Sequence, residues 1–182
     1  MPAPVSAPAR AGDLSAAAVS TLEWDAVCWA FRGITVHSPW GACIACGAKT
    51  VENRSWGDKW RGPILIHQGA THDERALRRP HVAAAFASAP AHSRQLRHVV
   101  ATAVVSDCHE AEAAGCCGVF AERGGFHFVL TDIVPLPVPV SHRGRQRLWV
   151  PTPALLRDLV DANPAFSRHV TTLASAHSVR DP

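Results

Sequence analysis

Lys49, Glu52 and Arg54 put two cations and a carboxylate into one short stretch of chain. A lysine withdrawn from water beside a carboxylate can act as acid, base or nucleophile once desolvation lowers its pKa, and general acid–base help is worth about 10²- to 10⁴-fold in rate. The same side chains can instead form fixed ion pairs that hold a cleft open. Ser38 and Trp40 precede them, and Lys59, Trp60, Arg61 and His67 follow. Together these residues supply what a pocket for a nucleic-acid base requires: a planar face for stacking, edge donors and acceptors, and cations for phosphate. Much later in the chain, Arg143, Arg145 and Gln146 offer forked donors suited to phosphate or a base edge. Arg75, Arg78 and Arg79 form another basic cluster, readable as phosphate contacts or as solvated surface.

Metal chemistry has weaker support in the sequence. Cys43 and Cys46 have the spacing of half a zinc site or a redox pair, and Cys116–Cys117 could complete four thiolates. Adjacent cysteines make awkward ligands, however, and a redox pair should open a helix after a strand in a thioredoxin-like unit, which is missing here. His37, His67 and His127 fall on separate predicted strands without a ligand spacing. The cysteines therefore read as small apolar residues of a reduced protein, and neither metal nor cofactor is expected.

These groups need a scaffold, and 182 residues suffice for one domain with a proper core. The hydrophobic fraction of 47% is ordinary, and no apolar run approaches the roughly 20 residues of a membrane helix. A cytoplasmic protein without a membrane partner is the default expectation. The net charge of +3 fits a nucleic-acid partner without demanding one.

The Pro- and Ala-rich residues 1–12 read as a disordered tail, and 13–33 as a helical extension stopped at Gly33. Strand alternation begins at Ile34 and ends at Pro39; a short buried helix over 40–46 with Gly47 as its cap follows. Residues 50–56 alternate as a strand, with Glu52, Arg54 and Trp56 on one face. An apolar strand spans 63–67. Thr71 N-caps a helix through Arg79, and a second, alanine-rich helix runs over 81–89. The β-branched run Val99–Val105 predicts the central strand, and another strand starts at Phe126. Prolines 135, 137 and 139 then impose an extended segment, a basic loop follows over 141–147, and 151–182 provide helices that pack on the domain. The sum is an α+β domain with a small mixed sheet curled into a partial barrel.

The blocks Ser38-Pro39-Trp40, Gly47 to Trp56, and Arg61 to His67, with the later Gly144-Arg145-Gln146 and Leu148-Trp149, resemble the signature of the ASCH domain, a branch of the PUA-like superfamily. The likeness covers about residues 34–150. It implies a PUA-like mixed β-barrel with inserted helices and a cleft that recognises RNA or a modified nucleoside. In the N4-acetylcytidine amidohydrolase branch, a lysine at the position of Lys49 is catalytic and works with a threonine three positions on. Glu52 stands at that position here, and Thr50 is the adjacent stand-in. Three functions stay open: nucleic-acid or nucleoside binding; hydrolysis in the same cleft, of an acyl group or of RNA, by Lys49 and Glu52; and protein interaction through the N-terminal extension. The oligomeric state is not legible.

Overall fold

The structure is a computed structural model that describes residues 23–112, 115–167 and 170. The proposed tail, most of the helical extension and the end of the C-terminal helices lie outside those residues. The elements are α1 (Trp24–Trp29), β1 (Arg32–Ser38), α2 (Trp40–Ala45), β2 (Val51–Arg54), β3 (Gly62–His72), α3 (Pro80–Ser88), β4 (His98–Glu110), β5 (Phe126–Ser141), β6 (Leu148–Trp149) and α4 (Pro153–Ala162).

The six strands form one sheet in the order β2-β5-β4-β3-β1-β6. Only the β1–β3 pair is parallel. The β-branched run predicted as the central strand is β4, which pairs on both sides.

The expected barrel does not close. β2 and β6 remain edges, because β2 offers four residues and β6 only two. The sheet is nevertheless curled, as three register shifts along the β4–β5 ladder allow. Its curl brings a β2 side chain to the far side: Arg54 Nη2 donates to the Thr35 carbonyl on β1 at 2.6 Å. β6 pairs only with Gly33 and Ile34, so the outer edge of β1 is free at Thr35, and a guanidinium takes the place of a ladder bond.

Three other expectations are corrected. β3 runs on to His72, whose register partner is Ser38, so the helix predicted from Thr71 reduces to a 3₁₀ turn at Ala76–Arg78 before Pro80 opens α3. Gly33 does not stop a helix. It lies in β1 beneath Trp149, where a Cβ would come within 2.3 Å of the ring. The proline segment is continuous with the preceding strand as one 16-residue β5. β2 pairs only with residues 126–129, leaving the prolines at an edge that asks for no amide donors. Asn163, just past α4, satisfies that edge at Val138, accepting from its N–H at 3.0 Å and donating to its carbonyl at 2.9 Å.

Alternation along β3 divides the core. Leu65 joins Phe31, Leu136, Trp149, Leu156 and Leu159 under α1 and α4. Ile64 and Ile66 face the other way and pack with Ile34, Ile44, Val100 and Phe128 inside the curl. A third cluster beside α2 and α3 joins Cys43, Val51, Val82 and Phe120. Burial raises the Cys43 thiol to about 12, and the Cys46 thiol lies 3.4 Å from the Ala85 carbonyl, so this pair packs α2 against α3.

Candidate functional site

The predicted residues fall into three groups. The first is a buried ionic chain. Lys49 leaves α2 with its side chain 2% exposed, donating to the Val51 carbonyl and, at 2.9 Å, to Glu52 Oε2. Glu52 Oε1 lies 3.1 Å from Arg54 Nε, an ion pair without hydrogen-bond alignment. Both carboxylate oxygens of Glu52 are therefore engaged, one by each cation. Lys49 Nζ also sits 5.7 Å from the half-buried Trp40 ring, which packs edge-on against Phe120. Ser38 is buried and bonded to His72 at 2.8 Å. Thr50 precedes the strand and is exposed, whereas Glu52 is buried.

The second group forms an open cleft of about 770 Å³. His67, Arg143, Arg145 and Gln146, singled out in the sequence by their types, line it together with Thr35, Arg97 and His142, which carry no local sequence signal. His67 and Thr35 come from adjacent strands; the other wall is the loop after β5. Thr35 links the two groups, because its carbonyl takes Arg54 and its hydroxyl takes the Arg145 N–H at 3.1 Å. Trp56 stands at the same rim, half-buried, with the Arg54 and Arg147 guanidinium carbons 6.0 and 5.3 Å from its ring. Arg97 could have been suspected only from its place before the central strand; its backbone is left-handed, with φ 62°.

The third group stands apart from the cleft lining. Trp60 is covered by the Arg32 guanidinium, 4.1 Å from the ring centroid. Arg61 pairs with Asp107 at 3.2 Å and donates to the Cys108 carbonyl. Lys59 is exposed beside them. In the other basic cluster, Arg79 is paired with Glu122 at 2.6 Å.

His67 is 1% exposed and its Nε2 meets the His142 carbonyl at 3.0 Å, which makes Nε2 the protonated nitrogen and leaves Nδ1 a lone-pair acceptor. Nδ1 is buried and makes no well-aligned hydrogen bond among the described residues, with the Arg97 backbone beside the ring. Burial holds the imidazole's pKa below its ordinary value of 6.5, and His142 shifts the same way for the same first cause. The unfolded chain then binds more protons than the native one as pH falls through 6.5, so acid must weaken the fold. Urea midpoints are expected to drop from pH 7.5 to pH 5.5, and His67→Gln is expected to flatten that drop.

The structure is an α+β domain whose curled sheet carries a buried ionic chain, joined through Thr35 to a cleft lined by arginines. Residues 34–122 match the family model of the ASCH domain, a domain of the RNA-binding type in the PUA-like superfamily. No curated protein matches the chain. The matched residues end before β5, yet β5 pairs with both β4 and β2, so the sheet is completed beyond them.

Proposed function

We propose that the chain binds RNA or a modified nucleoside in the cleft between Thr35, His67 and the loop at 141–146. The observation that carries this reading is the charge of the lining: Arg97, Arg143 and Arg145 border the cleft, and no carboxylate is among its lining residues. None of these three guanidiniums has an ion-pair partner among the described residues. Cations left free around a cleft are matched to phosphate.

Hydrolysis by Lys49 and Glu52 is a second reading, favoured by one observation, the burial of Lys49 against Glu52, although neither residue lines the cleft. The donors of Lys49 are directed at Val51 and Glu52, and the carboxylate is shared with Arg54, so the arrangement fits a positioning role for Arg54 better than a free nucleophile.

Fluorescence anisotropy with short single-stranded RNAs tests the reading. If three arginines neutralise three phosphates, log K should fall with log[salt] with a slope of about −2, and Arg145→Ala should weaken binding and reduce the slope by about 0.7. Undetectable binding at low salt would refute the proposal. Chromatography of the same mixtures, with N4-acetylcytidine included, reports any product and so separates hydrolysis from binding.

A further inference from the structure

His109, Cys116, Cys117 and His127 converge at the far end of the β4–β5 ladder, with one ligand atom from each lying within 4.8 Å of all the others. His109 and His127 are direct cross-strand partners, so the ladder itself brings the two rings together, 5.5 Å apart. The cysteines sit on the turn between the two strands. Gly115 (φ 78°) and Gly118 (φ 95°) flank them, and bonds from Gly115 N to Ala121 O and from Gly118 N to Gly115 O close the turn. The left-handed glycines let two successive side chains face the same point, which removes the sequence objection to adjacent cysteines.

We propose that these four residues form a closed, tetrahedral zinc site of the Cys₂His₂ type. A zinc ion with bonds of about 2.3 Å to sulfur and about 2.0–2.1 Å to nitrogen sets tetrahedral edges of about 3.8 Å between sulfurs and about 3.6 Å between sulfur and nitrogen. Cys116 Sγ and Cys117 Sγ are 3.6 Å apart, and they lie 3.6 and 3.5 Å from His109 Nε2. A fourth edge, Cys116 Sγ to His127 Nδ1, is shorter at 3.0 Å and opens by about half an ångström to receive the ion, and the two edges from His127 to Cys117 and to His109 lie within 4.8 Å.

The outer nitrogens are also arranged as in metal-bound imidazoles. His109 donates its Nδ1–H to Asp107 Oδ2 at 2.7 Å, and His127 donates its Nε2–H to the Glu122 carbonyl at 2.6 Å. Each leaves its other nitrogen as a lone pair aimed at the thiols, with tautomer and ring orientation fixed by a carboxylate or a carbonyl. Binding zinc replaces the two thiol protons, which are released to solvent, and leaves a neutral site.

The site is distinct from the cationic cleft but tied to its neighbourhood. The same turn supplies Phe120 to Trp40, and Asn53 next to Glu52 donates to the Phe120 carbonyl at 2.9 Å. Zinc would thus staple the turn to the ladder and hold the wall beside Lys49.

The full-length chain, purified under reducing conditions with zinc in the medium, is expected to carry one zinc per chain by elemental analysis. Replacement by cobalt(II) should give tetrahedral d–d bands and a thiolate-to-metal charge-transfer band. Zinc should protect Cys116 and Cys117 from alkylation in the unmutated protein, and a chelator should expose both, with Cys46 and Cys108 as internal references. Asp107→Ala should weaken zinc affinity about 10- to 100-fold. Alkylation of Cys116 and Cys117 that is indifferent to zinc, or a cobalt spectrum without thiolate charge transfer, would overturn the proposal. So would zinc retained at full stoichiometry in the Cys116→Ser/Cys117→Ser variant.

Discussion

Glu52→Ala is expected to destabilise the fold by about 3–5 kcal/mol, because it removes the carboxylate that two cations share and leaves Lys49 charged inside the protein. The side chains concerned are 2% exposed for Lys49 and 9% for Glu52, so water cannot take over the lost interaction. With a urea slope of roughly 2 kcal/mol per molar, the midpoint should move down by roughly 2 M. The paired change Lys49→Met/Glu52→Leu should recover most of the loss, since apolar side chains of similar volume avoid the desolvation of both ions. A recovered fold that no longer binds RNA would assign the ionic chain to recognition through Arg54, whereas recovery of both would make it scaffold. A single Glu52→Ala variant as stable as the unmutated chain would refute the buried-network account.

The ionic chain and the cleft are legible in the sequence to different degrees, and the differences have physical causes. Lys49, Glu52 and Arg54 are close in sequence, and a helix exit followed by strand alternation is enough to bring them together; the structure joins all three. His67 and the loop residues Arg143, Arg145 and Gln146 were recognised by type, but their meeting depends on β1 and β3 running parallel with the loop folded over them. Arg97 and Thr35 carry no local signature and become lining residues only through that packing. Trp60 and Arg61 are engaged with Arg32 and Asp107, and Lys59 is exposed beside them, so these three side chains lie away from the cleft lining. Barrel closure is not legible, because strand number can be counted from sequence whereas the lengths of the two edge strands, four residues and two, decide whether a sheet closes. Chain spacing alone argues against the cysteine pair at 116–117 as metal ligands. Its partners His109 and His127 are set by the β4–β5 register, which no spacing rule encodes.

Gly144→Val should both destabilise the protein and abolish binding, because the loop can lie on the sheet only where residue 144 has no side chain. A Cβ built there would come within 2.8 Å of Thr35 Cγ2 and 2.8 Å of His67 Cε1. Neither neighbour can yield cheaply: Thr35 is β-branched on a strand, and His67 is buried and held by the His142 carbonyl. The loop must lift instead, which breaks the His67 contact and the Arg145 N–H bond to Thr35 together. Overpacking costs about 1–3 kcal/mol and each lost hydrogen bond about 0.5–1.5 kcal/mol, so the combined loss should reach about 2–5 kcal/mol. Because Arg143 and Arg145 travel with the loop, RNA affinity should fall at least as far as in Arg145→Ala even where the variant is fully folded. Urea titration and anisotropy at one temperature separate the two effects. Unchanged stability with unchanged binding would mean that the loop is not seated on His67, and the cleft would lose its floor as the place where a ligand is read.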